Sequence, residues 1–227
     1  MYPIANQTNH DLASMPSIAR GEARLQEVPI VRASAESLRG YGRLVPDLAQ
    51  AHVDIVPWPH QGQRPIVSGT GVGGGTVRGS FEMQRRGGLL YAVNHAVRRS
   101  YITGWYGDPA TTNESTSEID LRYIVTHEAN YHPDGGQIFF PCQSAPFVAL
   151  LARPGDDVSP QDFIAFYCNG KAGIHINPNV WHQPLFPLSD TMTFEDEQGA
   201  IHACVSIDFV GEFDTYLKVP LDASLVG

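Results

Sequence analysis

The sequence predicts an all-β fold, mainly strands and turns around a small barrel, with few and short helices. Three observations predict it. Prolines number 17 and glycines 22, against only 17% charged residues, a balance that favours turns and strands over long helices. Runs such as TVRGSFEM (76–83) alternate with period two, the signature of a strand. The stretch Gly173–Leu188, GIHINPNVWHQPLFPL, is too rich in proline to be helical. Its Asn-Pro-Asn centre marks a tight loop between two short apolar runs, so it reads as strand, turn, strand. At 227 residues one barrel domain buries a full core.

In chain order, residues 1–27 are polar and aperiodic and read as a flexible arm. Residues 28–227 then form one domain, with an N-terminal extension over 28–120 and a motif-bearing barrel core over 121–227. Val28–Arg32 is a first strand. Ser34 is placed to cap a short helix through Arg39, broken by Gly40 and Gly42. Residues 46–65 are loop-like, with VDIVPW (53–58) a short strand. The glycine-rich run Gly69–Glu82 lacks the Gly-Lys-Ser/Thr ending and the strand-to-helix context of a phosphate loop. It reads instead as a flexible hairpin between extended segments.

Gly87–Trp105 carries β-branched and aromatic residues and reads as two strands, and 107–118 as an exposed loop. Phe147–Ala152 and Phe163–Cys168 are further strands, and Asn169-Gly170 is a hairpin turn into Gly173–Leu188. Met192–Phe194, a turn over Glu195–Gly199 and Ile201–Val210 make a closing hairpin. On its last arm His202, Cys204, Ser206 and Asp208 share one face, which makes His202 a second-rank site candidate. Residues 211–221 end the chain as a strand or arm, with Tyr216 and Leu217 packing on a neighbour.

The net charge of −9 argues against nucleic acid or an anionic membrane as partner, since both need basic surface. It leaves room for a small anionic substrate held by one or two local arginines. Cys142, Cys168 and Cys204 are far apart and form no CxxC, which suggests a reduced, cytoplasmic protein. No apolar run approaches about 18 residues, and the start lacks the basic-then-apolar signal-peptide pattern. The open edges of a β fold and its long termini predict a homodimer.

Chemistry gathers in two stretches. Thr126–Pro141, THEANYHPDGGQIFFP, packs His127, Glu128, Asn130, His132 and Gln137 around a turn. Residues two apart on a strand share a face, so Glu128, Asn130 and His132 point the same way. Asp134-Gly135-Gly136 reads as a hairpin that returns Gln137 beside them. The second stretch, Gly173–Leu188, contributes His175, Asn177 and His182. His95 reads as a structural or surface histidine.

This layout resembles the cupin superfamily, in which two short histidine motifs on hairpins meet inside a small double-stranded barrel. The first cupin motif has a His-x-His pair and then a Glu; the corresponding positions here are Asn130, His132 and Gln137. The closing histidine of the second motif corresponds to His182. Two of the four usual ligand positions thus keep histidine and two carry amides. From about Tyr123 to Leu188 the chain more narrowly resembles the ureidoglycolate lyase (ureidoglycolate hydrolase) family of allantoin catabolism. THEANYHPDGGQIFFP, FVALLARPGDD, FIAFYCNGKAG and NPNVWHQPLFPL carry that likeness in order, and AESLRGYGRLV (35–45) adds a weaker one. Asn177 and Gln183 stand where the family usually has histidines, and His175 is placed to substitute for the first.

The resemblance implies cleavage of (S)-ureidoglycolate to glyoxylate and urea. That reaction needs a base for the hydroxyl proton and an acid for the departing nitrogen. His132, His182, Glu128 and His127 are the candidates for those proton transfers. Gln137, Asn130, His175 and Asn177 suit substrate hydrogen bonding, and Arg98 or Arg78 suits a carboxylate clamp. A mechanism without metal is feasible, and a divalent metal is the one possible cofactor; if it binds, His132, Gln137 and His182 are its expected ligands. The competing readings are a metal-dependent cupin enzyme (dioxygenase, isomerase or other lyase) on another small hydroxy acid, and a non-catalytic small-ligand-binding cupin.

Overall fold

The computed structural model describes residues 23–56, 62, 64–71, 74–222, 224 and 226. The strands of the N-terminal half are β1 (Arg24–Glu27), β2 (Ile30–Arg32), β3 (Gly42–Val45), β4 (Thr76–Arg86), β5 (Leu89–Asn94) and β6 (Arg99–Trp105). The middle of the chain adds β7 (Tyr123–Thr126), β8 (Glu128–Tyr131), β9 (Gln137–Pro141), β10 (Phe147–Ala152), β11 (Ile164–Cys168) and β12 (Gly173–Ile176). The last part holds β13 (Trp181–His182), β14 (Phe186–Pro187), β15 (Thr191–Gly199), β16 (Val205–Asp208) and β17 (Thr215–Pro220), with one short helix, α1 (Phe209–Phe213), before β17.

These strands pair into two sheets. One runs β1-β17-β7-β6-β5-β4-β15-β9-β12-β3 and the other β16-β8-β13-β10-β11-β2, with β14 on β10. The all-β expectation holds. Strands β4 to β6, from the N-terminal half, sit in the middle of the large sheet between β7 and β15.

The two sheets bury an apolar layer between them. Phe194 is fully buried and meets the rings of Phe139 and Phe147 edge-on, at 6.0 and 5.2 Å between centroids. Strand β10 is buried along its whole length, which matches its continuous apolar sequence, since a strand covered on both faces has no polar side. Trp181 closes one end, its Nε1–H donating to the Gly155 carbonyl at 2.8 Å and its ring edge-on to Tyr131.

Several turns differ from the sequence reading. Asp134-Gly135-Gly136 is not a hairpin: β8 pairs with β13 and β16, whereas β9 pairs with β12 and β15. The chain crosses there from the small sheet to the large one. Asn169-Gly170 is likewise a corner, because β11 belongs to the small sheet and β12 to the large. A Gly-containing turn signal fixes where the backbone reverses or bends, not which sheet it enters.

Glu195–Gly199 is not a turn but the second half of β15, paired on both sides to β4 and β9. The closing hairpin is therefore absent. Beyond β16 the chain forms α1, whose N-cap Asp208 accepts from the Val210 and Gly211 N–H groups. Residues 35–41 form successive turns rather than a helix, although the Ser34 hydroxyl does accept the Ser37 N–H. Of VDIVPW, Ile55 makes a single bridge to Gly135, and 57–58 lie outside the described residues. Residues 1–22 of the expected arm also lie outside them, and Arg24–Glu27 is a strand parallel to β17.

Phe194→Ala is expected to cost about 3–5 kcal/mol, the range for emptying a buried aromatic position. Urea unfolding of the variant against the parent chain measures it, and a loss under about 1 kcal/mol would show that the core around Phe139 and Phe147 collapses to fill the space.

Candidate active site

A cavity of about 250 Å³ opens between the two sheets. Its small-sheet wall comes from β8, β13 and β16, and its large-sheet wall from β5, β6 and β9. Period-two alternation places Glu128 and Asn130 on the pocket side of β8, while Ala129 and Tyr131 turn into the core. His132 follows them at the corner.

Three histidines meet at the floor. The His132 ring lies 5.2 Å from that of His182 and 4.6 Å from that of His202. His132 Nδ1 is 2.9 Å from the Ala203 carbonyl and His182 Nδ1 is 2.8 Å from the Val180 carbonyl. A carbonyl only accepts, so both rings carry their proton on Nδ1 and keep a lone pair on Nε2. His202 is the opposite tautomer, because the Gln198 amide donates to its Nδ1 at 2.7 Å. Burial holds all three well below the usual histidine range, His182 at about 3 and His202 at about 2, with His132 as a further cause for both. They are neutral bases at physiological pH.

An amide and carboxyl network lies beneath them. Gln137 donates its amide protons to Asp196 Oδ1 at 2.7 Å and Gln198 Oε1 at 3.0 Å, which turns its own Oε1 toward His182 Nε2 at 3.3 Å. That contact becomes a hydrogen bond once His182 takes a second proton. Gln137 is thus placed to stabilise the ring after proton capture. Asn94 joins through its Nδ2–H to Gln198 Oε1 at 2.9 Å. Burial pushes the Asp196 carboxyl up to about 7.

At the rim, His127 and Glu128 approach to 3.8 Å, and the His127 ring stands edge-on to Trp105. Asn130 Oδ1 and His127 Nδ1 are buried without a hydrogen-bond partner, and both residues line the cavity. Unpaired buried polar atoms are costly and rare, and here two of them belong to residues that line one cavity.

Four expected residues lie elsewhere. His175 is fully buried on the far face of β12, its Nε2 accepting the Asp54 N–H at 3.2 Å. Asn177 is absent from the cavity wall, and its backbone N–H donates to the Tyr41 carbonyl. Arg78 points to the outer face of β4, paired with Glu197 at 2.6 Å. Arg98 occupies a left-handed turn position, φ 56°, and it is the next residue, Arg99, that lines the cavity. Arg99 is the one lysine or arginine on that wall among the described residues. Gln183 is spent on structure, donating to Thr126 Oγ1 and to the Glu128 carbonyl.

The sequence reading missed Arg99, Asn94, Gln198, Asp196 and Asp134. Asp134 is buried and accepts the N–H groups of His202 and Ala203 at 3.1 and 3.0 Å. Its place beside a Gly-Gly turn was a usable signal, since an Asp there bonds nearby backbone.

A divalent ion would find two imidazole nitrogens, His132 and His182, and the Gln137 amide oxygen, a neutral set. Among the described residues no group of three or more His, Cys, Asp or Glu side chains gathers at metal-ligand spacing. The residues do not fit a tightly held ion, and no step below passes through one.

Two facing sheets with a histidine-lined cavity between them define an all-β, cupin-like protein with an enclosed polar site. Residues 111–206 match the family model described as ureidoglycolate lyase. Curated ureidoglycolate lyases of Salmonella paratyphi B, Salmonella newport and Salmonella typhimurium are each 41% identical over 71 residues, 31% of this chain and 44% of theirs. The chain therefore spans less than half the length of the curated relatives it matches. Through this segment it is similar to the ureidoglycolate lyase family.

The buried histidines make folding sensitive to acid. His175, at about 4, joins His132, His182 and His202 in having a folded value below the ordinary 6.5. As pH falls through 6.5 the unfolded chain takes up protons that the folded rings refuse, so stability is lost at up to about 1.4 kcal/mol per pH unit for each histidine. Asp196 acts oppositely: its raised carboxyl is protonated first in the folded state, which adds stability between about 7 and 3.8. The histidines outnumber it, so urea midpoints should be lower at pH 5 than at pH 7. A higher midpoint at pH 5 would contradict neutral burial of these rings.

Proposed function

We propose that this pocket splits (S)-ureidoglycolate into glyoxylate and urea, as a cytoplasmic homodimer acting in allantoin catabolism. The observation that carries the reading is a convergence. His132, Gln137 and His182, all from the matched segment, meet in one cavity with the unpaired Asn130 Oδ1 and His127 Nδ1.

In the reaction the hydroxyl oxygen loses its proton and becomes the aldehyde oxygen of glyoxylate. The carbon–nitrogen bond breaks with its electron pair going to nitrogen, and that nitrogen takes a proton to complete urea. No proton is gained or lost overall, so one neutral imidazole suffices as both acceptor and donor. His182 suits that task. Its Nε2 lone pair is free, its Nδ1–H is fixed on the Val180 carbonyl, and Gln137 Oε1 waits beside the nitrogen that gains the proton. His132 offers a second Nε2 from the same floor. Arg99 holds the carboxylate, and Asn130 Oδ1 accepts a ureido N–H. Glu128 at the rim orients His127 or takes the hydroxyl proton itself. The unpaired outer edges of the two sheets offer a second copy backbone groups to pair with.

Glyoxylate release from racemic ureidoglycolate, before and after exhaustive chelation, tests the reading. Release from one enantiomer should survive chelation, because the donor set is too weak to depend on a metal. Absence of release in both samples overturns it. His182→Ala should lower kcat by on the order of a hundredfold or more, the range for losing a proton-transfer group. Arg99→Ala should act mainly on KM, since a carboxylate anchor binds ground state and transition state alike.

A further inference from the structure

We infer that a second chamber behind Arg99 and His202 receives a short aliphatic substituent on the reacting carbon, so that the substrate class extends to ureido adducts of 2-oxo acids longer than glyoxylate. The inference rests on the lyase reading and deepens it. The chamber is again about 250 Å³. It shares Thr70, Arg99 and His202 with the main cavity, so these three residues form a partition and not an outer wall. Beyond the partition the lining is small and apolar: Val77, Ala96, Val97, Ala200 and Ile201, with Gly69.

The direction of the chamber matters. In the proposed pose the carboxylate is on Arg99 and the ureido group points toward Asn130, which turns the fourth substituent of the reacting carbon toward Thr70 and His202. In ureidoglycolate that is hydrogen. An alkyl group in its place passes Arg99 into the apolar space, and the same elimination then yields urea and the longer 2-oxo acid, with the bonds and protons moving as before.

The partition is also built at a cost. His202 sits in the left-handed region at φ 46° and Arg98, immediately before Arg99, at φ 56°. Non-glycine residues persist there only where surrounding structure holds them, and such positions cluster at functional sites. The holding groups are present: Asp134 binds the His202 N–H, and Asn94 Oδ1 accepts the Ala96 and Val97 N–H groups at 3.0 and 3.4 Å. Asn94 also bonds Gln198 under the histidines. One amide therefore ties the chamber wall to the reacting floor.

A ladder of unreactive 2-hydroxy acids tests the inference: glycolate, lactate, 2-hydroxybutanoate and 2-hydroxypentanoate, titrated calorimetrically into the full chain. Affinity should rise about fourfold per added methylene, the gain for burying one such group. Val97→Phe and Ile201→Phe, which fill the chamber from opposite walls, should abolish the rise and leave glycolate unchanged. A flat or falling ladder overturns the inference, as does a rise that both variants retain. Glyoxylate release from plain ureidoglycolate is scored separately. Release with a flat ladder removes only the chamber, whereas a rising ladder without release keeps the chamber and removes the lyase reading.

Discussion

One buried carboxylate holds the site together. Asp134 sits at the corner where the chain leaves the small sheet for the large one, and it accepts the N–H groups of His202 and Ala203. The Ala203 carbonyl in turn accepts from His132 Nδ1. The loop closes on itself: the corner that carries His132 binds the segment that fixes the tautomer of His132. Bonds to a charged group contribute about 1.5–3 kcal/mol each, and a buried acceptor left unpaired costs as much again. Space at this point is so tight that a Cβ on Gly199 would meet the Asp134 carboxylate. The corner, the left-handed His202 and the glycine opposite are thus parts of one constraint.

The same constraint explains why the floor is uncharged. His132, His182 and His202 are too close together and too well buried to be cationic: burial lowers all three, His132 further depresses both others, and His182 further depresses His202. Arg99 supplies positive charge at the partition and further depresses His202. The cavity therefore divides by charge, with neutral imidazoles and amides on the floor and the Arg99 guanidinium on the wall. For an elimination with no net proton change, neutral bases are the appropriate form.

Much of the floor was legible because strand alternation is local. Glu128, Asn130 and His132 fall on one face by counting in twos, and the structure places all three on the cavity. His182 was legible from its proline-bounded loop. The failures share another cause. Counting along one strand does not say which sheet the next strand enters, so Asp134-Gly135-Gly136 and Asn169-Gly170 looked like hairpins. His175 alternates correctly with Ile174 and Ile176, yet those two take the core and leave it facing Asp54. Glu195–Gly199 looked too polar for a strand. Its polarity is largely satisfied sideways, Glu197 by Arg78 on the outer face and Asp196 Oδ1 and Gln198 by the amide network on the inner one. Partners that distant in sequence leave no local trace.

Arg98 and Arg99 show the limit most sharply. They are the same residue type, adjacent in sequence, and only the left-handed turn at Arg98 decides which one reaches the cavity. That turn lies outside residues 111–206, as do Val67, Ser68, Thr70, Phe81, Asn94, Tyr101 and Ile102 on the same wall. The histidine floor thus comes from the matched segment, as does β9 on the facing wall, while the rest of that wall comes from sequence that the match does not reach. Much of the lining over β5, β6 and residues 67–71 therefore has no counterpart in the matched segment, and its shape is read from this chain alone.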